Sequence, residues 1–136
     1  MRFVSGMLAG FVVWWAAFYA IGGIILLIIP GFPEAGRIAV DENDWSHFTT
    51  VMLLPLIAMY FVINPLAGWL TVFISKNRHL VWATMAPLFL YAAHSHLIRL
   101  WDNLPNWYNV AVVVLIPPLM YLGSRLAKLE PSAEQT

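Results

Sequence analysis

The chain has 136 residues, of which 61% are hydrophobic and 10% are charged. Soluble domains average about 45–50% apolar and about 25% charged residues, so this composition excludes a water-soluble domain and indicates an integral membrane protein. Seven basic and seven acidic residues give a formal net charge of zero, which argues against electrostatic capture of nucleic acid. The absence of cysteine excludes disulfides, thiolate nucleophiles and cysteine-ligated iron–sulfur clusters.

Four apolar runs account for most of the chain. They are residues 3–29, 49–74, 80–98 and 107–126. A transmembrane helix needs roughly 20 predominantly apolar residues, and each run reaches about that length. We therefore expect one all-α integral membrane domain, a bundle of four transmembrane helices. Residues 30–48 would form an outer loop between the first two helices, and residues 130–136 a disordered tail.

The basic residues predict the orientation of this bundle. Five of the seven lysines and arginines fall on one side of a four-span arrangement, and only Arg37 and Arg99 fall on the other. Because cytoplasmic loops carry the excess of positive charge, we expect both termini in the cytoplasm and the acidic outer loop in a periplasm. The expected location is a bacterial inner membrane. The expected partners are the lipid bilayer and either other membrane-protein subunits or a second copy of the chain.

Small and aromatic residues in the first run predict helix contacts. Gly6 and Gly10 form a GxxxG element, which permits close helix approach either within the bundle or between two copies. Trp14 and Trp15 fall midway along the run, away from the interfacial aromatic belt. We expect these two rings to face lipid or to fill helix contacts rather than to stack on a cofactor.

Asn64, directly before Pro65, is the deepest strongly polar side chain of the second run. An interhelical hydrogen bond that fixes helix register is favoured over a substrate or ion site, because a polar group in the bilayer needs an internal partner. Pro65 is one of five prolines within the runs. Proline-broken helices build transport sites in some membrane proteins, although more commonly they shape helix packing.

Three histidines cluster at the predicted outer end. His47 precedes the second run, while His94 and His96 lie in the last turns of the third. Two residues on a helix subtend about 200°, so His94 and His96 point in different directions. If the small residues Ala83 and Ala86 mark the packed face, then His94 faces the bundle. His96 then faces lipid headgroups or a partner protein.

These histidines leave several ligands open. His94 is the first candidate cofactor ligand, with His47 or His96 assisting, and imidazole suits a metal ion, haem b or a quinone carbonyl. Asp44 or Asp102 would complete a metal site. No strong metal-binding spacing such as His-Glu-x-x-His occurs in the chain. The favoured alternative is that His94 bonds a carbonyl freed by a helix kink and that the other two histidines are solvated.

Three short motifs stand out in the second half of the chain. They are residues 67–70 (Ala-Gly-Trp-Leu), Trp82, and residues 104–109 (Leu-Pro-Asn-Trp-Tyr-Asn) before the last run. In these motifs the chain resembles small uncharacterised bacterial inner-membrane proteins with four helices. The resemblance implies a four-span topology. It implies no activity and supplies no catalytic or binding residue.

The absence of a soluble domain and of a catalytic constellation favours a non-enzymatic protein. It would act as an accessory or structural subunit of a larger membrane complex, or as a homo-oligomer. The first alternative is a redox-linked protein that binds haem, a metal ion or a quinone near the outer face through His94. The second is a small oligomeric transporter in which Asn64-Pro65 and Pro117-Pro118 break their helices.

Overall fold

The computed structural model describes residues 1–127, and the regular secondary structure of these residues is entirely helical, with no β-strand. The elements are α1 (Arg2–Ile28), α2 (Phe32–Asp41), α3 (Thr50–Ser75), α4 (Leu80–His94), a π-helical turn (Ser95–Arg99) and α5 (Asn106–Leu126). The predicted disordered tail, residues 130–136, lies outside the described residues, as does Lys128, one of the five basic residues assigned to the inner side.

Three of these helices, α1, α3 and α5, are long and apolar enough to cross a membrane, by length and composition. Their ends agree to within one residue with the first, second and fourth predicted runs. The third run is different, because its α-helical part ends at His94 after 15 residues and continues as the five-residue π turn. Only together do α4 and the π turn approach the roughly 20 residues that a span needs.

The predicted outer loop contains a helix, α2, that the sequence-based expectation lacked. Its buried residues are Phe32, Ala35 and Ala39. Their spacing is helical, but two of the three are alanine, so the apolar pattern is weak. On the exposed face Arg37 pairs with Glu34 at 2.7 Å and with Asp41 at 3.3 Å. The hydrogen bond from Arg37 holds the pKa of the Glu34 carboxyl below its ordinary value.

Glycines allow α1 to lie directly on α3. A Cβ atom added at Gly6 would lie 2.7 Å from Ser75 Cβ, and one added at Gly10 would overlap Thr71 Oγ1. Any larger residue at these positions would therefore force the two helices apart. The GxxxG element packs within the bundle, which is one of the two roles that the sequence left open.

The central helix α3 also meets α5 through a reciprocal pair of glycines. A Cβ atom at Gly68 would overlap the backbone of Met120, and one at Gly123 would overlap the backbone of Pro65. Ten residues of α3 are buried, and the helix contacts α1, α4 and α5. The tightest contacts of the bundle thus lie in the second half of α3, which meets the beginning of α1 and the end of α5.

Gly123→Ala is expected to destabilise the bundle, because its Cβ atom has no space against Pro65. Overpacking of this kind costs about 1–3 kcal/mol and should lower the midpoint of unfolding in a denaturing-detergent titration. Gly23→Ala is the matched control, since a Cβ atom there meets nothing within 4 Å. Alanine stabilises a helix relative to glycine by about 1 kcal/mol, so this control should raise the midpoint. Equal shifts in the two variants would contradict the packing role of Gly123.

Candidate functional site

A cavity of about 690 Å³ lies at the opposite end of the bundle from the glycine contacts. Its lining comes from the second half of α1, the first half of α3, the end of α4, the π turn and the start of α5, together with residues of α2 and the connecting loops, and nine of the lining residues are aromatic. The aromatic lining residues are Trp14, Phe18, Tyr19, Phe32, Trp45, Phe48, Tyr60, Tyr91 and Tyr108. Small-molecule sites typically measure about 300–1,000 Å³ and are apolar with a few polar groups, and this cavity matches both properties.

Trp14 forms the deepest part of the cavity wall and is fixed by a hydrogen bond between helices. Its indole Nε1 donates to Asn64 Oδ1 at 2.7 Å, and both side chains are buried. The ring of Trp14 also stacks on Phe18, with the ring centroids 5.3 Å apart. Asn64 therefore joins α3 to α1, while its Nδ2 atom has no hydrogen-bond partner among the described residues.

The wall that α1 contributes lacks side chains at two adjacent positions. A Cβ atom at Gly23 would meet nothing within 4 Å, and one at Gly22 would meet only Met59 Sδ, at 3.9 Å. Gly22, Gly23 and Met59 all line the cavity. Glycine within a helix is less stable than alanine by roughly 0.5–1 kcal/mol, and no close packing requires it here. The two missing side chains instead leave space in the cavity.

The cavity reaches the surface of the bundle between α1 and α4. Two of its lining residues, Tyr19 on α1 and Tyr91 on α4, are 68% and 52% exposed. Trp15 lies between them, with its ring centroid 5.8 Å from that of Tyr19 and 5.1 Å from that of Tyr91. Part of the cavity lining is therefore exposed on the outer surface of the helix bundle, at α1 and α4.

His96 contributes the main hydrogen-bonding group of the wall, and its neighbours determine its tautomer. Its Nδ1 atom lies 3.0 Å from Asn109 Oδ1. The Asn109 amide nitrogen donates to the carbonyl oxygens of Leu100 at 3.1 Å and Leu104 at 3.2 Å, which fixes the orientation of the amide. Because Asn109 Oδ1 can only accept, Nδ1 of neutral His96 carries the proton and Nε2 carries a lone pair. No hydrogen bond joins Nε2 to another described residue.

The structure reverses the predicted orientations of His94 and His96. His94 is exposed, whereas His96 is half-buried and lines the cavity. The buried residues of α4 are Val81, Thr84, Leu88 and Ala92. His96 continues this face at a spacing of four residues, while Ala83 and Ala86 are exposed. The prediction was wrong because small size was taken to mark the packed face, which the spacing of the buried residues defines instead.

His47 lies outside the cavity lining. It is exposed, and its Nε2 atom is 3.5 Å from Asp44 Oδ2. Hydrogen bonds from Ser46 hold the pKa of the Asp44 carboxyl below its ordinary value. Within residues 1–127 no group of three or more His, Asp and Glu side chains is arranged to hold a metal ion, so the set of His47, His94 and Asp44 or Asp102 does not converge there.

Two elements of the site had no counterpart among the sequence-based predictions. Asn109 could have been identified from the sequence, because a strongly polar residue near the start of an apolar helix needs internal hydrogen-bond partners. The π turn could not have been identified in this way. In it Leu100 N donates to Ser95 O at 2.9 Å, five residues back. Such turns are rare and frequently occur at functional sites, and this one brings Ser95, His96 and Arg99 to the cavity.

Comparisons with family models, curated proteins and solved structures give no match to this chain. The resemblance to small bacterial inner-membrane proteins therefore stays a prediction, and a functional argument has to start from the cavity itself.

Trp14→Phe is expected to destabilise the protein, because it keeps a ring in the cavity wall but leaves Asn64 Oδ1 without its donor. A buried polar group left unpaired costs about 1–3 kcal/mol, measurable as a lower free energy of unfolding. Trp107→Phe is the control, since this indole is exposed and makes no hydrogen bond to another described residue. In the double variant Trp14→Phe/Asn64→Leu the loss should be smaller than the sum of the two single losses. Strictly additive losses would show that the hydrogen bond contributes nothing.

Proposed function

We propose that this protein binds a neutral, largely apolar molecule from the lipid phase in the aromatic cavity. The observation that carries the proposal is the cavity of about 690 Å³, with two glycines in its wall and two lining residues, Tyr19 and Tyr91, exposed on the surface of the bundle. The bound molecule would contact mainly aromatic rings, and a few polar groups would orient it.

The proposal includes a four-span topology in a bacterial inner membrane, with both termini in the cytoplasm. The third span would be α4 together with the π turn. Two contacts support this arrangement: Gly6 lies against Ser75, and Arg78 Nη2 donates to Ala127 O at 3.5 Å. The start of α1, the α3–α4 turn and the end of α5 thus share one end of the bundle. Four basic residues lie there, namely Arg2, Lys76, Arg78 and Arg125. The positive-inside rule assigns this end to the cytoplasm and the cavity to the outer leaflet.

The charges around the cavity favour a neutral ligand. Arg99 is the one charged side chain among the described residues that line it, and it is exposed. An anionic head group would find no buried counter-charge among these residues, and a pair with an exposed arginine contributes little.

Gly22→Leu is expected to abolish ligand binding, because the new side chain extends from α1 towards Met59 and occupies the cavity. The test is purification from native membranes in mild detergent, followed by organic extraction and mass spectrometry. The unaltered protein should carry one apolar compound near stoichiometric amount, and Gly22→Leu should carry less than about one tenth of it.

Gly36→Leu is the matched control. A Cβ atom at Gly36 meets nothing within 4 Å, and the residue lies on α2 outside the cavity lining. This variant should retain the compound. Retention of the same compound by Gly22→Leu at the level of the unaltered protein would exclude the cavity as its binding site.

The role of an accessory, non-catalytic subunit is a second candidate, and the position of His94 favours it. This imidazole is exposed on α4 and makes no hydrogen bond to another described residue. Polar groups on a lipid-facing surface are costly, and a polar side chain of another subunit or a second copy would offset this cost. No comparable observation favours an oligomeric transporter. That alternative uses Asn64-Pro65 as a helix break for a transport site, but Pro65 lies in the tight contact between α3 and α5.

His94→Leu is expected to release the partner that this second candidate requires. Native mass spectrometry of the protein extracted from its own membranes should show a complex, and its abundance should fall about tenfold in the variant, as the loss of about 1.4 kcal/mol implies. His79→Leu is the control, because His79 is also exposed but lies in the α3–α4 turn. A strictly monomeric unaltered protein would rule out the accessory role.

A further inference from the structure

We propose that the cavity selects a quinol, the reduced and dihydroxylated form of a membrane quinone, by accepting a hydrogen bond from its hydroxyl group at Nε2 of His96. This inference rests on the proposed binding function and names the chemical class of its ligand. It assigns His96 the part of a specificity-determining group and requires no redox step within the protein.

The tautomer of His96 determines the selectivity for the quinol over the quinone. Asn109 holds the Nδ1 proton at 3.0 Å, so neutral His96 offers only a lone pair at Nε2. A quinone carbonyl oxygen is itself an acceptor and cannot bond to a lone pair, whereas a quinol hydroxyl can donate to it. The Asn109 amide is held in turn by the carbonyl oxygens of Leu100 and Leu104, so it cannot invert without losing two hydrogen bonds.

Two tyrosines supply donors that complement this acceptor. Tyr60 and Tyr108 line the cavity and are only 4% and 5% exposed. Neither hydroxyl bonds to another described residue, and neither is among the fully enclosed polar atoms without a partner, so both retain contact with open space. The ring of Tyr108 lies 5.7 Å from that of His96. This ring contact places Tyr108 beside His96, and a quinol hydroxyl that donates to His96 can also accept a hydrogen bond from a tyrosine, as a hydroxyl group does both.

The remaining walls fit the rest of such a molecule. Trp14 and Phe18 stack on each other, with 7° between their planes, and a quinol ring can stack in the same way on an aromatic ring of this wall. Tyr19 and Tyr91 line the cavity and are exposed on the surface of the bundle, so an isoprenoid tail that leaves the cavity beside them would remain among lipid chains. A quinol is uncharged, which agrees with the absence of a buried charged side chain among the described residues that line the cavity.

The test compares both redox forms of a decyl-substituted benzoquinone on the full chain in lipid nanodiscs, by isothermal titration calorimetry under anaerobic conditions. The unaltered protein is expected to bind the quinol about tenfold more tightly than the quinone, which corresponds to one hydrogen bond at the upper end of its usual net contribution. His96→Asn should reduce this ratio to about one. Its amide can still donate to Asn109 from the position of Nδ1, but it places no acceptor where Nε2 stood.

The outcomes separate this inference from the proposed function. Equal affinities for the two forms in the unaltered protein, or a preference that persists in His96→Asn, would overturn the quinol assignment and leave the binding function intact. Absence of binding of either form would also overturn it, whatever compound mass spectrometry identifies. If the quinol binds Gly22→Leu as tightly as it binds Gly36→Leu, the cavity is not the binding site of the quinol and the quinol assignment is overturned, while the proposed function fails only if Gly22→Leu retains the co-purified compound. The ratio of quinol to quinone affinity is measured on the unaltered protein. It can therefore overturn the proposal even if His96→Asn does not fold.

Discussion

The direct backbone contact between α3 and α5 at Gly68 and Gly123 is the constraint on which the bundle depends. Lipid tails are as apolar as leucine side chains, so helices in a membrane gain little from burying apolar surface and associate through close packing instead. Gly6 and Gly10 extend this close packing to α1. At the other end of the same helices the contacts are made by large aromatic rings, which do not fill the space between them. The cavity is the result of tight packing confined to one end.

The helices themselves were largely predictable because the apolar runs are long and lack charge. The ends of α1, α3 and α5 agree with the predictions to within one residue. The face of α4 was not predictable from residue size, since small residues occur on the exposed side of this helix as well. The π turn and α2 were missed for a related reason. Neither leaves a strong periodic pattern, because one interrupts the helical repeat and the other buries two alanines and one phenylalanine.

The site was predictable only in part. Asn64 was identified as a polar group at depth that needs a partner, but its partner Trp14 lies 50 residues away and could be found only in three dimensions. His94 and His96 were recognised as unusual. Their predicted orientations were exchanged because the packed face of α4 was misjudged. The tautomer of His96 depends on Asn109 and on two backbone carbonyls of the preceding turn. These contacts depend on the folded arrangement of the chain, and the spacing of the residues in the sequence does not reveal them.

If the proposed ligand enters from the bilayer beside the exposed Tyr19 and Tyr91, the entry route changes what determines its affinity. A carrier in water gains about 25 cal/mol for each Å² of apolar ligand surface that it removes from solvent, so it holds any greasy molecule of suitable size. A molecule that enters from the bilayer has already left water, and its tail exchanges one hydrocarbon environment for another. The hydrophobic effect then provides almost no discrimination. A few hydrogen-bonding atoms and the shape of the rings must decide which of the many apolar molecules in a membrane remains bound.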